Sequence, residues 1–330
     1  MYLWDFRLRY SWICPGQRHK SHVKIKEEMK KIKTVIFGLG PLGRNLSEEI
    51  SQDPRFELVA LVDQANSLQG TKIAGITIQG KLNSHDIDLA FVTTNSRVSQ
   101  IKSLVEDLCN QGINVISSCE ELIFPSNSNL HLVEDINQKA ISNKVKVLGT
   151  GINPGFLMDY MLIILLQSQI LNRVKSITYH RIINTNKRRI SFQNKVGIDM
   201  NEQEYFTAFR ENKIGHVGFK ESINMVCQFM SWSIEDYQET IEPIFKKQLV
   251  IGIQQNATVK CANGKKLDFV FNASSQNQDQ DSIRIQGDED VLVEFKTGVN
   301  GEKGTVAMLI NTALRLTKLD PGFKTMLDLV

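Results

Sequence analysis

Residues 33–50 read KTVIFGLGPLGRNLSEEI, an apolar, β-branched strand that runs into three glycines and reopens as an amphipathic helix. Gly38, Gly40 and Gly43 stand in GxGxxG spacing, and Asp63 follows at the end of the next strand, FELVALVD (56–63). Each glycine has a separate physical reason. Gly38 permits the tight turn, Gly40 lets a pyrophosphate approach the backbone, and Gly43 lets the helix pack against the strand. Pro41 and Leu42 belong to the same loop and count with it as cofactor contacts. A diphosphate would rest on free N–H groups at the helix N-terminus, and Asp63 would accept from the hydroxyls of an adenine ribose. No Arg follows Asp63 in DQA to hold a 2′-phosphate, so NAD is expected as the cofactor, with NADP as the alternative.

The rest of the first half keeps this rhythm. Apolar strands are expected at 86–94, 112–118 and 144–150, with helices at 99–111 and 130–141 between them. Near-continuous Val, Ile and Leu separated by helices imply a parallel sheet covered on both faces. Its strand ends should gather Thr93, Thr94 and Ser118 beside the glycine turn, suited to a nicotinamide ribose and carboxamide. From 174 onward the pattern changes to strands of polar alternation at 174–184 and within 247–296. Helices are expected at 201–212 and 218–230, and a closing helix at 304–318. The fold class is therefore α/β, a doubly wound Rossmann sheet with a second, mixed α+β domain. The expected boundaries are 1–30 as an arm or an over-long start, 31–150 for dinucleotide binding, and 151–302 for substrate and oligomerisation. Residues 303–330 then pack back on the first domain.

Composition narrows the function classes. The chain has 330 residues, 42% hydrophobic, with a net charge of +3. Residues 1–28 carry six Lys or Arg against three acids, so the remainder is neutral. A neutral body argues against nucleic-acid binding. No apolar run reaches the ~20 residues of a membrane span. The five cysteines lack CxxC spacing, which points to a reducing, cytoplasmic setting without structural zinc or other metal. The basic, aromatic arm 1–28 lacks a periodic apolar face and is expected to be dispensable.

Several further segments carry a resemblance. VIFGLGPLGR, SSCEELIFP (117–125), VLGTGINPGFLMD (147–159), RRISFQNKVG (188–197), GHVGFKES (215–222) and LDPGFKTMLDL (319–329) resemble 2,4-diaminopentanoate dehydrogenase and its relatives, within the wider dihydrodipicolinate reductase-like class. The resemblance spans about 31–329. It implies NAD(P)-dependent oxidative deamination of an amino group beyond the α-carbon, giving a ketone and ammonia, in a homodimer or homotetramer acting on a small amino-acid substrate. One departure is Asn184, where relatives carry Asp.

In GTGINPGF, Gly149 and Gly151 are expected to keep the backbone low beside the nicotinamide. Asn153 would bond the carboxamide or the substrate, and Pro154-Gly155 would turn the chain into a helix at 156–166. Oxidising an amine needs a neutral amine, and its carboxylate needs a cationic clamp. Arg188 or Arg189 can clamp a carboxylate in bidentate fashion. Lys195 is the first choice for proton transfer, with Glu120 and His216 as rivals; His180 reads as a half-buried strand residue. Two other functions remain open: a cyclic imine or carbonyl reductase, for which no HHxxK cluster with an SGT loop is found, and a non-catalytic dinucleotide sensor.

Overall fold

The computed structural model describes residues 30–330, so the expectation for residues 1–28 lies outside the described residues. Residues 31–330 form one compact unit built on two sheets.

The first sheet begins as the sequence predicts. Strand β1 (Ile32–Phe37) passes through the glycine turn into α1 (Pro41–Gln52), and the chain returns in β2 (Phe56–Val62). A short hairpin, β3 (Lys72–Ile73) and β4 (Ile76–Gln79), precedes β5 (Leu89–Val92), α2 (Val98–Asn110) and β6 (Asn114–Ser117). Next come α3 (Glu120–Ile123), α4 (Leu130–Ser142) and β7 (Lys146–Gly149). The order is β14-β7-β6-β5-β1-β2-β4-β3, where β14 is Gly322–Lys324 from the far end of the chain. Apart from the β3–β4 hairpin, the pairings are parallel. Val35 and Phe37 of β1 enter one core and Ile36 the other, so the sheet is buried on both faces.

The crossover to the second sheet differs in one respect from the sequence reading. The chain leaves β7 through 150–159 in turns, and α5 (Tyr160–Leu166) starts four residues later than expected. The reason is Asp159, fully buried. Its carboxylate accepts from Tyr160 N at 2.6 Å and from Gly155 N at 2.7 Å, so it caps the helix and closes the preceding turn together. The same carboxylate accepts from Ser222 Oγ at 2.6 Å. Burial raises its pKa, against the pull of these three donors.

The second sheet holds β8 (Ser176–Asn184), β9 (Ile234–Lys246), β10 (Leu249–Cys261), β11 (Lys266–Ser274), β12 (Gln280–Gln286) and β13 (Val291–Phe295), in the order β13-β12-β8-β11-β10-β9. Helices α6 (Ile190–Lys195), α7 (Glu202–Arg210) and α8 (Phe219–Met230) fall between β8 and β9. The polar alternation corresponds to a sheet with one covered face. Ile177, Tyr179, Arg181 and Ile183 point inward on β8. His180 faces outward, on the open face of the strand, where partial burial still lowers its pKa. The elements that the sequence reading did not give are the β3–β4 hairpin, α3, α6, β9 and β14. In β9 charged residues and Pro243 disguise an edge strand, where a missing N–H costs no ladder bond. Helix α9 (Gly301–Leu316) packs on α1 and β6, and β14 then pairs with β7. One core runs continuously from Ile36 and Leu46 to Tyr179 and Phe269.

Asp159→Ala would leave two buried N–H groups and the Ser222 hydroxyl without their acceptor. The expected loss is about 3–5 kcal/mol of unfolding free energy, read as a lower urea midpoint at unchanged slope. A loss below about 1 kcal/mol would show that the crossover is held by packing alone.

Candidate functional site

The glycine turn and the 188–195 segment open on one cleft of about 710 Å³ between the two sheets. It lies where β1 and β5 lead their chains to opposite sides, the position at which open α/β sheets bind ligands.

Three features of the first sheet fit a dinucleotide. Gly38 has φ +87°, and a Cβ on Gly43 would lie 1.9 Å from Gly38 O, so helix α1 meets the turn with no room for a side chain. A Cβ on Gly40 would meet nothing within 4 Å, as a loop facing a ligand requires. Helix α1 has no side-chain cap and carries Pro41 in its first turn, so the N–H groups of Leu42 and Gly43 point free toward the cleft end. Asp63 accepts from Leu39 N at 2.6 Å and from Ala65 N at 2.8 Å, which fixes its carboxylate against the turn. Thr93, Thr94 and Ser118 all line the cleft. Thr93 Oγ1, however, donates to Gly38 O at 2.7 Å, so its hydroxyl holds the glycine turn in shape.

Gly149 is bare for a reason other than the one expected, while Gly155, at φ +113°, turns the chain as expected. A Cβ on Gly149 would lie 2.7 Å from the backbone of Leu122 and Ile123, and one on Gly155 would lie 2.3 Å from Gly151 N. These two serve close passage of the chain past itself, while Gly151, Ile152, Asn153 and Pro154 line the cleft. The Asn153 amide nitrogen belongs 2.5 Å from Ile152 O, where an oxygen would be repelled. Its oxygen then accepts from Tyr179 Oη at 2.7 Å and from Arg181 Nε at 3.2 Å. The side chain is thereby oriented by the second sheet.

From that sheet come the cations. Arg188 and Arg189 both line the cleft. Arg188 Nη2 is paired with Asp279 at 2.9 Å, and both side chains are largely covered. Arg189 Nε lies 3.4 Å from Glu302 Oε1, outside hydrogen-bonding geometry, and is buried without an acceptor. Lys195, at the end of α6, lines the cleft with no ion-pair partner among the described residues. Glu120 opens α3 on the opposite wall. His216 is brought to the same cleft, its ring stacked 5.1 Å from Phe271 and edge-on to Phe219 at 5.4 Å. Burial first, then the charges of Arg181 and Lys195, push its pKa down to about 3. Its Nε2 has no partner, while Gln255 holds its backbone N at 2.7 Å and its O at 2.9 Å. Asn184 stays outside: it accepts from Asn186 N and donates to Asn277 O, joining β8 to the 274–279 turn.

Two residues of the cleft escaped the sequence reading. Arg181 pairs with Asp281 at 2.8 Å and donates to Val299 O at 2.9 Å, and Asp281 accepts from Val299 N at 2.8 Å. The signal was present, since Arg181 shares the inward period of Ile177, Tyr179 and Ile183, and a charge at such a position needs a buried partner. Glu302 looks from sequence like an ordinary acidic residue in a helix first turn, capped by Asn300. Only the folded chain places it beside Arg189.

Comparison with known proteins agrees with this architecture. Residues 156–330 match the family described as the 2,4-diaminopentanoate dehydrogenase C-terminal domain. The 2,4-diaminopentanoate dehydrogenase of Acetoanaerobium sticklandii is 26% identical over 334 residues, covering 91% of this chain and 94% of the relative. Among solved structures, an amine dehydrogenase from Mycobacterium smegmatis superposes with a TM-score of 0.79 at 14% identity, covering 91% of this chain and 96% of that one. GenD2 from gentamicin A biosynthesis, in complex with NAD, gives a TM-score of 0.60 at 12% identity, covering 96% and 93%. These two likenesses speak for the fold, a Rossmann sheet joined to a second, mixed sheet. With the matched segment spanning more than half of its length, the chain belongs to the 2,4-diaminopentanoate dehydrogenase family.

Proposed function

We propose that this protein oxidises an amino group of a diamino acid with NAD⁺ to an imine, which water hydrolyses to a ketone and ammonia. The observation that carries the reading is the single cleft onto which both the glycine turn of α1 and the basic 188–195 segment open. A bound nicotinamide dinucleotide would supply the hydride acceptor. The chain's own residues supply the rest. Arg189, loosely held by Glu302, is the guanidinium free to take a substrate carboxylate, whereas Arg188 is engaged by Asp279. Lys195 removes a proton from the substrate ammonium, since only a neutral amine has the lone pair that assists loss of hydride from its carbon. His216 stays neutral at working pH, its buried Nε2 without a partner in the fold. Glu120, on the facing wall, is the rival base.

Arg189→Ala and Lys195→Ala are expected to fail differently. Loss of the clamp should raise KM most, by a factor corresponding to about 1.5–3 kcal/mol. Loss of the base should lower kcat roughly 10²–10⁴-fold and flatten the pH profile. Both variants should bind NADH as the wild type does. Near-normal kcat in Lys195→Ala with an inactive Glu120→Gln would move the base to α3. If neither matters and no amine is oxidised, the dinucleotide-sensor reading replaces this one.

For the cofactor, kcat/KM should favour NAD over NADP, because the Asp63 carboxylate would repel a 2′-phosphate. Asp63→Ala should narrow that ratio and also weaken NAD binding, since Leu39 N and Ala65 N lose their acceptor. A wild-type preference for NADP would overturn the assignment.

His216 also makes a pH prediction. Its folded pKa lies below that of a free imidazole, so the unfolded chain takes up the proton first as pH falls. Stability is therefore lost from about pH 6.5 downward toward the folded value. Melting temperature should drop less between about pH 7 and about pH 5 in His216→Gln than in the wild type. An equal drop would show the ring to be solvated.

A further inference from the structure

The loose pair of Arg189 and Glu302 has a geometry that a purely structural ion pair would not need. The two groups sit on different elements, Arg189 just before α6 and Glu302 in the first turn of α9, and both line the cleft. About a third of each side chain is exposed, 36% and 34%, so a ligand can reach both. Their closest approach is 3.4 Å, longer than in either neighbouring pair, and Arg189 Nε, like Arg188 Nε, is buried without a hydrogen-bond acceptor. The neighbouring pairs are shorter and better covered. Arg181 meets Asp281 at 2.8 Å and Arg188 meets Asp279 at 2.9 Å, with little of any side chain exposed.

From this we infer that Arg189 and Glu302 together take the α-amino-acid head of the substrate as a zwitterion. The carboxylate goes to Arg189 and the α-ammonium to Glu302. Taken with the diamino-acid reading, on which the inference rests, Glu302 is the residue that separates a diamino acid from a simple amino acid of the same length. The electrostatics favour the exchange. A zwitterion carries no net charge, so it enters without adding charge to the cleft. It replaces one long internal pair with two charge-assisted contacts of opposite sign. Glu120, the other cleft carboxylate, stands on α3 of the first sheet and forms no ion pair with Arg189, whereas Glu302 lies 3.4 Å from its Nε. An ammonium on the carbon next to the carboxylate must find its anion beside that guanidinium, and Glu302 is there. The position of Glu302 is itself fixed. Asn300 caps the helix by accepting from Glu302 N and Lys303 N, and Arg181 with Asp281 grips both polar atoms of Val299 just before it.

The test compares 2,4-diaminopentanoate with 4-aminopentanoate, which lacks the α-ammonium, in wild type and Glu302→Gln. Wild type should prefer the diamino acid. In the variant, kcat/KM for the diamino acid should fall by about tenfold or more, carried by KM. With 4-aminopentanoate the variant should hold or improve KM, because Arg189 is freed from its internal partner. Calorimetric titration of the diamino acid into the NADH-loaded protein should show the same loss without turnover. Parallel losses on both compounds, or an unchanged preference, would overturn the assignment while leaving the activity standing. A wild type that oxidises neither compound would overturn the activity first, and this assignment with it.

Discussion

The carboxylate of Asp159 is the joint on which the two sheets depend. Three donors reach it from three parts of the chain: Gly155 in the crossover turn, Tyr160 at the head of α5, and Ser222 in α8. A buried carboxylate is costly unless its lone pairs are filled, so these three segments are held in one arrangement. The crossover that results is tight enough for Gly218 to abut Pro154, where a Cβ would lie 2.3 Å from Cδ. The cleft wall made by Gly151, Asn153 and Pro154 inherits its shape from a buried group that does not itself line the cleft.

A second clamp acts from the other side. Arg181 and Asp281 form a buried pair under the cleft and hold Val299 by both its N–H and its C=O. Breaking such a pair leaves one charge stranded, so it behaves as a rigid unit. It orients Asn153 on one flank and the head of α9 on the other. The cleft is thus assembled from both sheets, with the glycine turn on the first and the charged groups of 181–195 on the second. Neither sheet alone presents a complete site.

Much of this was legible in the sequence, and the reasons for the remainder are physical. Buried strands such as β5 and most of β1 announce themselves as apolar runs, and the glycine turn is readable because no other residue fits Gly43. Edge strand β9 was hidden because its exposed faces carry Glu235, Asp236, Glu239 and Glu242, which sequence patterns assign to loops or helices. Gly149 and Gly155 were legible as necessary glycines, but not as self-packing ones, since only the folded backbone shows what they touch. Ion pairs were the least legible. Arg189 and Glu302 are more than a hundred residues apart, and nothing local to either reveals the other. Asp279 and Arg188 are likewise distant in sequence and silent about each other. Charges read singly look like solvated surface until the fold brings their partners.

The strand β14 has a consequence for how the chain is made. It lies beside β7 at the margin of the parallel sheet, yet residues 150–321, including the whole second sheet, separate the two in sequence. Phe323 enters that place with its N–H held by Asn137 of α4 at 2.9 Å. During synthesis the first sheet therefore emerges with an open margin, β7 offering unpaired backbone until the ribosome has translated everything between. An open strand margin invites pairing with other nascent chains. The last-made strand acts as a closing latch, and the earliest-made half of the molecule is the last to become safe from association.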